Sequence, residues 1–227
     1  MKPSLPLSDI SPSFSVTDNS GTEIGVGRPL RALDLENTDL INTLTRARAK
    51  NQGMFLTQFE ASFERTRKWM ANKVKADDEV FFLIERENTL VAHYGLINKD
   101  DETAELDNSI LIKNSVPKYF MVHTEHAILA LSFGFLKKSQ VIARVLNNNF
   151  SCIAMHQAAG LRMQSEQPLI VNSSKKEEKV LEILQEKTAT KNHTLHLLQL
   201  SLKAADYWLI REKMGYLPVD YDDSDLL

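Results

Sequence analysis

Residues 80–112, VFFLIERENTLVAHYGLINKDDETAELDNSILI, constrain the fold more than any other stretch. Three runs rich in β-branched and apolar residues, Val80 to Arg86, Leu90 to Asn98 and Ala104 to Ile112, read as strands. The turns between them, at Glu87-Asn88 and Lys99-Glu102, favour an antiparallel meander. An antiparallel ladder this apolar needs helices to cover it, and the flanking segments supply helical spacing. Upstream, a short strand over Pro29 to Leu33 leads into a helix with Asp34 or Asn37 as N-cap and Leu35, Leu40, Ile41 and Leu44 inward. A second helix takes Phe59, Phe63, Arg67 and Met70 at its three- and four-residue spacing. Downstream, HTEHAILALSFGFLKK reads as a central helix beginning near Thr124. QVIARVL follows as a strand, and NFSCIAMHQAAG as a helix stopped by Gly160. LRMQSEQPLIV is a further strand, Ser173 to His193 a charged helix, Thr194 to Leu202 a last strand, and AADYWLIREKMG a closing helix. The order predicts a single-domain α/β fold with a mixed, mostly antiparallel sheet and helices on both faces. Residues 1–26 are expected as a poorly ordered lead-in or edge segment, and 164–227 as a C-terminal part that completes the sheet.

Composition narrows the partners. Lys and Arg number 27 against 30 Asp and Glu, a net charge of −3, so no basic excess points to nucleic acid. The one cysteine, Cys152, makes neither an internal disulfide nor a multi-cysteine zinc site. No apolar run approaches the roughly 18 residues of a membrane span, which with the cysteine usage leads to the expectation of a cytoplasmic protein without a membrane partner. His123 and His126 stand three apart with no third ligand in view, so no metal is assigned.

RPLRALDLEN, LVAHYGLINKDDETAELDNSI, HTEHA and RVLNNNFSCIAMHQAAGLRM together resemble the GCN5-related N-acetyltransferase family between Gly27 and Met163. Within it the chain is most similar to the subgroup that modifies ribosomal proteins or amino sugars. Asn149, Cys152 and Gly160 match the family's spacing of an Asn, a small residue and a Gly, with Cys152 where relatives carry Ser or Ala. The resemblance implies acetyl-coenzyme A between the fourth and fifth family strands, its pyrophosphate on free N–H groups at the start of the central helix. It places Lys118 at the basic position and Tyr119, Met121 and His123 where relatives have small residues, with Thr124 beyond them and Asn149 at the pantetheine arm. The chain has 8 glycines and none between Gly95 and Gly134, so bulky residues crowd the phosphate approach.

Acyl transfer from a thioester to an amine needs a neutral amine, a stabilised carbonyl oxygen and a proton for the departing thiolate. His156 lies four residues before Gly160, where the resemblance implies a Tyr that protonates that thiolate. An imidazole with a pKa of about 6.5 can do the same; the alternative is a packed helical histidine. Glu105 and Asp107 share one face of a strand by alternation, Glu105 as the expected base and Asp107 as an amine ligand, or both as solvent-facing residues. His93 reads as an acceptor contact or a core histidine. Asn149 reads as a coenzyme ligand or a helix N-cap. Arg46, Arg48, Arg65 and Arg67 are candidates for an acidic acceptor. The expected activity is N-acylation of a primary amine, such as a nucleotide-linked amino sugar, by direct attack in a ternary complex, with a homodimer as one possible assembly. Two other readings stand beside it: a binding or regulatory module on the same fold without coenzyme A, and a protein N-acetyltransferase.

Overall fold

The alternation that begins at Glu79 divides its side chains between two cores. Val80, Phe82 and Ile84 enter one apolar cluster, and Phe81 and Leu83 the other, so the sheet is buried on both faces. The computed structural model describes Leu7 and residues 11–175, 178–183, 195–214 and 221–222. Among these the strands are β1 (Ser13–Thr17), β2 (Glu23–Pro29), β3 (Thr57–Phe59), β4 (Glu79–Arg86), β5 (Thr89–Asn98), β6 (Thr103–Leu111), β7 (Gln140–Leu146), β8 (Arg162–Lys175), β9 (Glu178–Ile183), β10 (His196–Lys203) and β11 (Tyr221–Asp222). The α-helices are α1 (Thr38–Lys50), α2 (Phe63–Lys75), α3 (Phe120–Ala130), α4 (Phe150–Ala158) and α5 (Ala204–Met214). The sheet order is β11-β1-β2-β4-β5-β6-β7-β10-β8-β9-β3. Only β6 and β7 pair in parallel; the other described pairs are antiparallel.

Helices α1 and α2 cover one face. Leu40, Ile41, Leu44 and Met70 pack on Phe81 and Leu83, and the two helices start where Asn37 and Ser62 accept the N–H groups of Leu40 and Arg65. Asp34, the other N-cap candidate, instead holds Arg28 with both carboxylate oxygens at 2.9 Å. On the opposite face α3 is buried along its length from His123 to Ala130 and continues through a π-helical turn over Leu131–Phe135.

Several elements differ from the sequence expectation. The first strand runs over Glu23–Pro29 and ends at Pro29, and the stretch expected as a lead-in or edge segment contributes β1, one strand from the sheet's edge, and most of β2. Gly27 explains why: the ring of Phe14 occupies the space where a Cβ would stand, locking β1 onto β2. Phe59 belongs to β3, because the Ser62 cap delays α2 to Phe63. Helix α3 begins at Phe120, not Thr124, because Tyr119 adopts a left-handed conformation, φ 64°, and caps the helix early. The charged stretch after Ser173 is strand in its described part: Leu169–Asn172 pair with Val180–Ile183, and Lys179-Val180-Leu181-Glu182-Ile183 carries enough β character to follow them. Residues 176–177 and 184–193 of that expected helix, Thr194 at the start of the expected last strand, and Gly215 at the end of the closing helix lie outside the described residues.

Candidate active site

β6 and β7 run in register only from Thr103–Leu106 against Gln140–Ala143, although β6 continues to Leu111 and β7 to Leu146. Beyond Leu106 the strands diverge. The cause is a bulge in β6: His93 pairs with Ile110 and Gly95 with Asp107, so Asn108 and Ser109 oppose Tyr94 alone, with Asn108 at φ 48°. Gly95 permits the approach, since a Cβ there would stand 2.9 Å from the Asp107 carbonyl oxygen. The divergence opens a cleft of about 790 Å³, lined by the second half of β6, the end of β7, the first turns of α4, and Arg48, Phe55 and Trp69 from the α1–α2 side.

On that side the expected carboxylates are brought together with cations. Glu105 is buried and takes Arg144 through both oxygens, Nε at 2.7 Å and Nη2 at 3.1 Å, with Lys99 Nζ at 3.4 Å. Both oxygens of the expected base are thus engaged by cations. Asp107 is half-buried, with Lys73 Nζ at 3.8 Å and the Asn108 amide against it. His93 does not reach the cleft. Fully buried, it packs at 4.7 Å between ring centroids on Phe81; burial, then the nearby Arg48 charge, pushes its pKa down to about 3, so it is a neutral core ring and not an acceptor contact. Of the four early arginines, Arg48 alone lines the cleft, its guanidinium 4.1 Å above the Trp69 ring and 5.3 Å from Phe55. Burial lowers its pKa to about 10 against the opposing pull of Asp107, which leaves it a cation at neutral pH.

The expected pyrophosphate segment is only partly suited to its task. Phe120 N–H donates to Pro117, and Val122 and His123 both donate to the Tyr119 carbonyl, leaving the Met121 N–H without a backbone partner among the described residues. The His123 N–H is thus taken by the backbone. Thr124 is buried, its hydroxyl donating to the Phe120 carbonyl at 3.0 Å, and His123 is turned toward Asp18, burial lowering its pKa first and Asp18 opposing. His126 packs instead on Tyr207, so the two histidines diverge. Tyr119 is exposed, with Lys118 Nζ 4.6 Å from its ring, and Met121 reaches the cleft. At the other end Asn149 caps α4, its side-chain oxygen accepting the Cys152 N–H at 3.3 Å, and it also lines the cleft.

His156 sits on the cleft wall at 3% exposure within a chain of polar contacts that enters the core. Its Nδ1 donates to Glu125 Oε1 at 2.8 Å and its Nε2 meets Cys152 Sγ at 3.3 Å. The Tyr94 hydroxyl donates to the other oxygen, Glu125 Oε2, at 3.0 Å. Burial opposes a charge on His156, but the Glu125 carboxylate, with help from Cys152, outweighs it and raises the pKa to about 10. The ring is an imidazolium at neutral pH. Glu125 is the residue that sequence reasoning missed. It lies inside HTEHA, and a carboxylate separated by one residue from the apolar run AILAL is the signal that marked it. Among the described residues no three His, Cys, Asp or Glu side chains are placed to hold a metal ion, and no helix is long and apolar enough to cross a membrane.

No protein-family model matches the sequence, and no curated protein does. Solved structures do match the fold. A GCN5-related N-acetyltransferase from Brucella melitensis superposes with a TM-score of 0.63 at 10% identity, covering 89% of this chain and 87% of the other. A spermidine N-acetyltransferase from Vibrio cholerae, solved with CoA and spermine, gives 0.58 at 14% identity over 81% of this chain and 98% of the other. A GNAT-family acetyltransferase from Bacillus anthracis gives 0.58 at 15% identity over 85% and 99%. A bulged strand parting from a parallel neighbour, with an interior helix behind the opening, is here built on the fold of the GCN5-related N-acetyltransferases.

Proposed function

We propose that the chain is an N-acyltransferase that moves an acetyl or other short acyl group from coenzyme A to a primary amine. The observation that carries this reading is the parting of β6 from β7. Past Leu106, among the described residues, no strand pairs with the backbone of β6 on that edge, so an extended ligand with its own amides can lie there as an added strand. The pantetheine arm of coenzyme A is such a ligand. Asn149 faces the same space, and Lys118 with the Met121 N–H would take the phosphates. The donor set fits the arm well and the pyrophosphate sparsely.

His156 would supply the proton that the departing thiolate needs, recharged through Nε2 and held in orientation by Glu125. The acceptor would enter from the α1–α2 side. There Arg48 and Arg144 balance Glu105 and Asp107, which leaves no acidic surplus for a polyamine such as the spermine of the Vibrio cholerae structure. A cation stacked on Trp69 suits an acceptor that carries an anionic group, and a nucleotide-linked amino sugar has that chemistry. A reading as a coenzyme-free binding module draws on one observation, the bulk of Tyr119 and Met121 at the phosphate turn. Thermal-shift titration with coenzyme A separates the two: a ligand at 100 times its Kd stabilises by about 2.7 kcal/mol. Acetyl transfer to a panel of amino sugars, their phosphates, polyamines and peptide N-termini then ranks acceptors. Turnover confined to polyamines contradicts the charge argument.

A further inference from the structure

The cluster behind the cleft wall holds more chemistry than protonation of a leaving group requires. Cys152 lies in the first turn of α4, where the helix dipole favours a negative sulfur, and it lines the cleft. One turn later on the same helix face, His156 brings Nε2 to 3.3 Å from Sγ. Glu125 fixes the far side of the ring at 2.8 Å, and Tyr94 fixes Glu125. Ser109 Oγ, on the bulged strand, stands 3.8 Å from the sulfur on the cleft side. A nucleophile, a proton carrier touching it and an acid orienting that carrier form the arrangement that activates thiols and hydroxyls on unrelated folds. Both partners depart from the residues the family resemblance leads one to expect, Cys for Ser or Ala and His for Tyr, and the two departures touch each other.

We infer that Cys152 is a nucleophile that carries the acyl group between coenzyme A and the acceptor amine. The inference rests on the acyl-transfer reading and replaces direct attack by two half-reactions. In the first, the Cys152 thiolate attacks the thioester carbonyl carbon, the new C–S bond forms, the bond to the coenzyme sulfur breaks, and that sulfur leaves with the proton from His156 Nε2. One thioester is exchanged for another, so the step is close to balanced and the acyl group stays reactive. In the second, the neutral amine attacks the acyl carbon, the C–N bond forms, the bond to Sγ breaks, and the proton lost by the amine returns to Nε2. Thiolate and imidazolium are thereby restored.

The test uses the full chain with acetyl-coenzyme A and no acceptor, quenched in acid and weighed intact. The expected result is a mass gain of one acetyl group, mapped to the Cys152 peptide, removed by neutral hydroxylamine and matched by release of one coenzyme A per chain. Cys152→Ala should take no label and lose at least about 100-fold in turnover while still showing a thermal shift with coenzyme A. Alkylation of Cys152 by iodoacetamide at neutral pH should be slower in His156→Gln than in the parent protein, because the ring nitrogen 3.3 Å from Sγ is then gone. Coenzyme binding and turnover with no adduct, and near-parental activity in Cys152→Ala, overturn the inference and leave the acyl-transfer reading intact. Absence of any coenzyme A binding overturns that reading, and the inference with it.

Discussion

Replacing Glu125 by Gln removes the charge that keeps His156 protonated and changes little else in shape. In the parent protein His156 holds its proton up to about 10 when folded, against about 6.5 in an unfolded chain. Between those values the folded state binds one more proton than the unfolded state, so stability falls as pH rises, by about 1.4 kcal/mol per pH unit. The contribution is fully present below about pH 6.5 and gone once pH passes about 10, a total on the order of 5 kcal/mol. In Glu125→Gln the amide can still accept from Tyr94, but burial then governs His156 and the ring is neutral at pH 7. Loss of one partner from a buried pair costs about 3–5 kcal/mol at neutral pH, and the gap between variant and parent should close as pH rises toward 10. Urea denaturation at a series of pH values from 6 to 10, with midpoints and m-values at each, measures this directly. Parallel stability curves for the two proteins would refute a charged His156.

Gly27→Ala should lose about 1–3 kcal/mol or more by chemical denaturation, because the added Cβ would fall 2.3 Å from Cζ of the Phe14 ring, itself packed edge-on against Phe82; an unchanged midpoint contradicts the packing account. Lys118→Ala should weaken coenzyme A binding more at low than at high salt, since an exposed phosphate contact is screened, and equal affinity at low salt contradicts the placement of the phosphates. Glu105→Gln should destabilise the fold and raise the acceptor KM while leaving the pH profile of kcat in place, because the carboxylate is held by Arg144 and Lys99; loss of one limb of that profile would restore Glu105 as the base.

The meander was legible because each strand carries its own evidence in a run of β-branched and apolar residues, and its turns are short. Gly160 and Asn149 were legible for the same local reason: a helix stop with φ 102° and a cap accepting the Cys152 N–H depend on neighbours in sequence. The start of α3 was misplaced because the signal for an early cap, a left-handed Tyr119, is one that sequence normally assigns to Gly or Asn. The site's electrostatics were not legible at all. Nothing local says that Arg144 reaches Glu105 across the β6–β7 pair, or that His93 faces Phe81 instead of the cleft. Cys152 and His156 were visible as one helical turn, but the charge on the imidazole comes from Glu125, 31 residues away in sequence and adjacent only in the folded chain.

The central claim is that the space between β6 and β7 holds an acyl-coenzyme A. Calorimetric titration of the full chain with acetyl-coenzyme A tests it most directly. One saturable site per chain, competed by free coenzyme A and weakened by Lys118→Ala, is the predicted result. No binding heat and no thermal shift at millimolar acetyl-coenzyme A would contradict it.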